Sequence, residues 1–179
     1  MKLLLTQREN DVIEEDYIKY FSKYHQIEVI SNNLISNICL YDYDGFVLTG
    51  GGDFIEQPKR NLLEKELVKY SIENRILLLG ICRGMQHINF IFGGKLRVIN
   101  NHVRVNHKIK IFNGKEGIVN SYHNYGMYKE DIPNCFNVIA TCGKVVESMK
   151  HKDYNIYGVM WHPERDNYLT KWIDGDCII

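Results

Sequence analysis

Short apolar runs alternate with helical patterns through the first half of the chain, and this alternation predicts a parallel sheet with crossover helices. Leu3 to Leu5 reads as a first strand, a helical stretch follows around Tyr17 to Tyr24, Ile27 to Ile30 reads as a second strand and Gly45 to Thr49 as a third. In KRNLLEKELVKYSIEN, Leu63, Leu67 and Tyr70 recur at helical spacing with charges between them, which predicts a surface helix of about three turns. The run ILLLG that follows is continuously apolar, as a central parallel strand covered on both faces should be. It leads straight into Cys82, fenced by Gly80 and Gly84, where a helix is expected to start at once.

The texture changes after Gly94. NHKIKIFNGKEGIVN reads as two strands joined at the turn-rich NGKEG, and VVESMKHKDYNIYGVMWHPE as a further hairpin around Lys152 to Asn155. The second half is therefore expected to be more antiparallel. No repeat, low-complexity tract or linker divides the chain, and 179 residues suit one domain, so residues 1–179 are expected to form a single α/β unit.

Charge narrows the choice of partners. Lys plus Arg number 22 and Asp plus Glu 22, so the whole chain offers no net field for a nucleic-acid polymer or an anionic membrane. Recognition of an anion has to be local, and the one locally basic stretch is Lys95 to Ile111, with Arg97, His102, Arg104 and His107. The five cysteines are odd in number and lack C-x-x-C spacing, which argues against a disulfide framework or a zinc ribbon and fits a reducing cytoplasm. No metal or cofactor is expected. The three-leucine run in MKLLLTQREN is too short for a signal-peptide core or a membrane span.

Cys82 has two readings. A free cysteine behaves as a small hydrophobe and packs well after a strand. Between two glycines, at a strand-to-helix turn, it also fits a nucleophile held on a sharp elbow, its thiolate stabilised by the start of the helix. A thiol nucleophile needs a base. GVMWHPER offers one: Pro163 fixes the backbone between His162 and Glu164, so the carboxylate can hold one imidazole nitrogen while the other faces sulfur. On its own, H-P-E could equally be a surface loop.

Taken together, LLLGICRGMQ, LTGGGD and YGVMWHPE, in this order and roughly this spacing, resemble the class I glutamine amidotransferase superfamily, nearest to its γ-glutamyl hydrolase branch. The resemblance spans most of the chain. It implies a flavodoxin-like α/β fold, a central mostly parallel sheet with an antiparallel edge, and a triad of Cys82, His162 and Glu164. It also implies oxyanion donors at the backbone of Gly51 and Arg83, with Gly50 and Gly52 allowing close approach of substrate. Gln86 matches the glutamine that contacts the glutamyl moiety, and Ser121, Tyr122 and His123 match the region that grips its α-amino and α-carboxylate ends.

The implied substrate is a small γ-glutamyl amide or phosphoramidate, including a nucleotide-linked one such as γ-glutamyl-CDP-amidate, with Arg104 and His102 as the local source of charge for an anionic leaving group. The alternative is a glutaminase subunit that works only when docked to a synthase receiving its ammonia; assembly as a homodimer is left open. A thiol sensor on the same fold is weaker, because it leaves His162-Pro163-Glu164 unexplained. The chain ends soon after Glu164, earlier than many relatives, which leaves substrate breadth open as well.

Overall fold

A computed structural model of the protein describes residues 1–33, 39–53 and 56–165. The first half runs β1 (Lys2–Thr6), α1 (Glu15–Phe21), β2 (Gln26–Ile30), β3 (Gly45–Leu48), α2 (Pro58–Asn74), β4 (Leu77–Ile81) and α3 (Arg83–Ile91). The second half is almost all strand: β5 (Arg97–Val98), β6 (Val103–Ile111), β7 (Glu116–Tyr122), β8 (Tyr125–Gly126), β9 (Phe136–Cys142), β10 (Val145–His151) and β11 (Ile156–Val159). Nine strands form one sheet in the order β2-β1-β3-β4-β11-β10-β9-β6-β7, and β5 pairs with β8 alone. From β2 to β11 the neighbours are parallel; from β11 to β7 they are antiparallel. The mostly parallel centre expected from the sequence is therefore present, and its antiparallel side is four strands deep.

The parallel strands read as unbroken apolar runs because both their faces are covered. Side chains alternate across the sheet. Leu4, Phe46 and Leu78 pack into one core layer with Leu63 and Leu67 of α2 and Met85 and Ile88 of α3. Leu3, Leu5, Val47 and Leu79 point the other way and pack with Tyr17 and Phe21 of α1 and with Trp161.

Two features differ from the sequence expectation. Helix α2 is 17 residues long, nearly five turns at about 3.6 residues each, because Pro58 starts it early and it continues until Arg75 adopts a left-handed conformation (φ 55°). It is also not a simple surface helix, since Arg60 and Glu64 are completely buried. Strand β9 and the β5/β8 pair are absent from the sequence expectation; irregular register between β9 and β10 near Val146 and Ser148 blurs the alternation that would have announced β9. Among the described residues no helix is long and apolar enough to cross a membrane.

Candidate active site

The site lies at the carboxyl ends of β3, β4 and β11, where the sheet changes from parallel to antiparallel. Open α/β sheets place their ligands outside these strand ends. Cys82 follows β4 directly with φ 52° and ψ −106°, a conformation that non-glycine residues rarely adopt, and α3 begins at the next residue. Its N–H donates to the Val159 carbonyl of β11 (2.7 Å) and its carbonyl accepts from the Gln86 N–H (3.1 Å), so the sheet and the helix each hold one side of the strained residue. The flanking glycines explain how the turn fits. A Cβ on Gly84 would stand 2.0 Å from the Leu48 carbonyl oxygen, and one on Gly80 would stand 2.6 Å from backbone atoms of Gly84 and Met85.

His162 sits three residues beyond β11 at the mouth of a short 3-10 turn, Pro163–Arg165. Its Nδ1 is 2.6 Å from Glu164 Oε1, and both side chains are buried. Burial opposes a charge on this imidazole, but the Cys82 sulfur and the Glu164 carboxylate outweigh it and raise its pKa to about 9. Two residues that sequence reasoning does not single out hold the pair. Asn120 donates from Nδ2 to the His162 carbonyl (2.8 Å) and accepts the His162 N–H at Oδ1 (2.8 Å), fixing the histidine backbone from β7. The Tyr17 hydroxyl lies 3.4 Å from His162 Nδ1 and accepts the Gly50 N–H at 2.8 Å. Burial, and then the Glu164 charge, push its pKa well up, so Tyr17 stays neutral.

The glycine loop after β3 is held from beneath by Arg60. Its guanidinium donates to the carbonyls of Thr49, Gly50 (3.3 Å) and Gly51 (3.0 Å). The peptides here are trans, so a Gly50 carbonyl turned towards Arg60 sends the Gly51 N–H the opposite way. By the same geometry, a Cys82 carbonyl committed to the α3 hydrogen bond directs the Arg83 N–H out of the helix start. Gly51 and Gly52 have φ of +87° and +78°, which only glycine adopts without strain.

One carboxylate ties these two structures together. Glu64 accepts from Arg60 Nε (2.7 Å), Arg83 Nη1 (2.6 Å) and Thr6 Oγ1 (3.1 Å), and contacts His87 Nδ1 (2.5 Å). Burial alone would raise its pKa; the two guanidiniums and His87 hold it far below the usual carboxylate range. Arg60 and Glu64 escape sequence reading because an i, i+4 Arg–Glu pair ordinarily marks a solvated helix face.

A cavity of about 450 Å³ opens over Cys82 and His162 and is lined also by Gly51, Gly52, Arg83, Gln86, Arg104, Tyr122 and His123. Gly50 is beneath it, where a Cβ would stand 2.8 Å from both His162 Cε1 and the Tyr17 oxygen. Gln86 Nε2 donates to the Tyr125 carbonyl (3.0 Å), and the Tyr122 ring stands edge-on to His162 with Arg165 over its face. Of the remaining candidates, Ser121 is fully buried and donates to the His102 carbonyl (2.6 Å). His102 itself is buried against Glu147 and is not among the residues that line this cavity. The structure thus brings Arg104 to the pocket and places His102 behind it.

Comparison with known proteins follows the same lines. A family model described as glutamine amidotransferase class-I matches residues 10–170. The γ-glutamyl-CDP-amidate hydrolase of Campylobacter jejuni is 36% identical over 133 residues, 69% of this chain and 64% of that protein, so the match spans slightly less than two thirds of its length. The glutamine-hydrolyzing subunit of GMP synthase from Methanosphaera stadtmanae is 34% identical over 148 residues, 75% of this chain and 76% of that one. Among solved structures, a glutamine amidotransferase from Thermotoga maritima superposes with a TM-score of 0.72 at 17% identity, covering 97% of this chain and 80% of its own.

Proposed function

Since the chain belongs to the class I glutamine amidotransferase family, we propose that it is a cysteine-dependent hydrolase that removes a γ-glutamyl group from an amide or phosphoramidate through a γ-glutamyl thioester. The observation that carries this reading is Cys82 on its strained turn, facing a His162 that Glu164 orients and whose raised pKa favours the imidazolium. Such a pair supplies a thiolate and a proton together. Sulfur attacks the γ-carbonyl carbon, and the developing oxyanion meets the N–H groups of Gly51 and Arg83; donors of this kind are typically worth about 10²- to 10³-fold in rate. As the C–N bond breaks, the imidazolium gives its proton to the leaving nitrogen. His162, now neutral, takes a proton from water while the hydroxyl adds to the acyl carbon. The C–S bond then breaks, and glutamate leaves.

One of the curated relatives is a hydrolase named for a nucleotide-linked γ-glutamyl group, and Arg104 at the pocket supports an anionic leaving group of that class. A second reading, a glutaminase subunit feeding ammonia to a synthase, is supported by the more complete overlap with the GMP synthase chain. Glutamate release by the purified chain alone separates them, with glutamine, a γ-glutamyl amine and a γ-glutamyl nucleotide amidate offered in parallel. Turnover of the amidate without a partner is the expected result; activity on glutamine only after a synthase is added would establish the second reading. An electrophilic glutamine analogue should add one label per chain, lost in Cys82→Ser, and labelling elsewhere with activity retained in Cys82→Ala would sink both.

A further inference from the structure

Behind the pocket, three imidazoles surround a carboxylate for which the reaction has no use. Glu147 of β10 is completely buried, and His102, His107 and His123 converge on it from β6 and the ends of its neighbouring loops. His102 Nδ1 and His107 Nε2 stand 3.3 and 3.4 Å from Glu147 Oε1, and His123 Nε2 stands 3.8 Å from Oε2. Among the described residues, none of these nitrogens and neither carboxylate oxygen has a hydrogen bond of acceptable geometry, and His107 Nδ1 lacks one too. Such a gathering is costly, since each buried unpaired polar group costs about 1–3 kcal/mol.

The spacing says what they are arranged for. A charge-assisted N–H···O bond brings its heavy atoms to about 2.7–2.9 Å. Donor atoms bound at about 2.0–2.1 Å around one tetrahedral ion stand roughly 3.3–3.4 Å apart. The observed separations fit the second pattern. The tautomer of His123 agrees: its Nδ1 is 3.0 Å from the Tyr125 carbonyl, which can only accept, so that nitrogen carries the proton. A neutral His123 then turns the lone pair of Nε2 towards a buried carboxylate, an arrangement that calls for a cation between them. A ligand histidine with its other nitrogen donating to a carbonyl is the usual support for a bound metal. Two sets of potential ligand atoms lie within 4.8 Å of one another here: His102, His123 and Glu147, and His102, His107 and Cys142.

Against the metal-free expectation from the sequence, we propose that His102, His123 and Glu147, completed by His107, form a binding site for one divalent transition-metal ion of the zinc class. The donors are imidazole nitrogen and carboxylate oxygen, which suit zinc rather than calcium or magnesium. With all four positions supplied by protein and the centre buried, the site is structural. It joins β10 to the start of β6 and the end of β7, and through His123 it steadies the wall of the pocket next to Gln86, whose side chain shares the Tyr125 carbonyl. No reacting atom touches it.

The test uses the full chain carrying Cys82→Ala, so that a thiolate beside His162 cannot hold the metal. After stripping with a chelator, Zn²⁺ is titrated by calorimetry and Co²⁺ by its visible absorption. The expected result is a single equivalent per chain with the intense band of a four-coordinate cobalt site, and a raised melting temperature with Zn²⁺. His102→Asn and Glu147→Gln should each lower Zn²⁺ affinity by about 100-fold or more, with circular dichroism reporting whether the variants fold. If they do not, His107→Ala, at the half-buried edge of the cluster, should still weaken and shift the cobalt band. Absence of stoichiometric Zn²⁺ and Co²⁺ binding, with His123 seen as an imidazolium by ¹⁵N NMR, overturns the proposal. So does binding that His102→Asn or His107→Ala leaves unchanged.

Discussion

At the scale of single residues, the candidate chemistry depends on groups that never meet substrate. Asn120 holds both backbone polar groups of His162, and its truncation to Ala leaves a buried N–H and a buried carbonyl unmet. Asn120→Ala should therefore cost about 1–3 kcal/mol for each group in a denaturant titration, and kcat should fall because His162 is no longer fixed opposite Cys82. Unchanged kcat and stability would show that the histidine is positioned by other means. The imidazole itself offers a second measurement. Its pKa stands near 9, above the usual 6.5, because the raising effects of Cys82 and Glu164 exceed the lowering effect of burial. The pairing thus stabilises the fold fully below pH 6.5 and loses its contribution as pH rises through about 9. NMR titration should place His162 near 9, and in Cys82→Ala the midpoint should move down, since the sulfur is the first of the groups that raise it. Cys82, His162 and Glu164 are legible in the sequence because glycine spacing and H-P-E are local patterns. Asn120 and Tyr17 are not, since their partners lie 42 and 33 residues or more away and nothing in their own neighbourhood marks them.

At the scale of elements, α2 carries more than its sequence announces. Its hydrophobic positions follow the helical spacing, but that spacing assigns its charges to solvent, and the burial of Arg60 and Glu64 reverses the assignment for one of its turns. The reason is that a charge goes inside only when partners await it, and those partners, the Thr49–Gly51 carbonyls and Arg83, come from other elements. Glu64→Gln leaves two guanidiniums without their counter-charge. Removing one member of a buried ionic group costs about 3–5 kcal/mol, and the glycine loop and the nucleophile turn should lose their mutual registry, so kcat should fall without a matching rise in KM. Chemical denaturation and steady-state kinetics check both. The depressed pKa of Glu64 also sets a direction with pH: its contribution is present above the usual 4.5 and is lost as pH falls below it.

At the scale of the whole molecule, the order of the parallel half and the two hairpins can be read from apolar runs and turn residues. The way the last hairpin inserts its second strand into the middle of the sheet cannot, because alternation reports which faces are covered but not which strand is the neighbour. Leaving-group recognition also belongs to this scale. The chain is neutral overall, His102 faces inward, and Arg104 lines the cavity. Arg104→Ala should lower kcat/KM for a γ-glutamyl nucleotide amidate by about one to two decades, the worth of one charge-assisted hydrogen bond, while a neutral γ-glutamyl amide is turned over almost as before. Equal losses on both substrates would make Arg104 structural. Finally, β11 is last among the described strands in sequence yet lies between β4 and β10 in space. During synthesis the chain must wait with a gap at its centre until Ile156–Val159 emerge, and the nucleophile exists for the length of half a protein without its base. Closing the gap forms the Cys82–Val159 hydrogen bond, seats Trp161 in the core and delivers His162 in a single event. Tryptophan burial and recovery of activity should accordingly rise together, as one slow phase, when the unfolded chain is returned to native conditions.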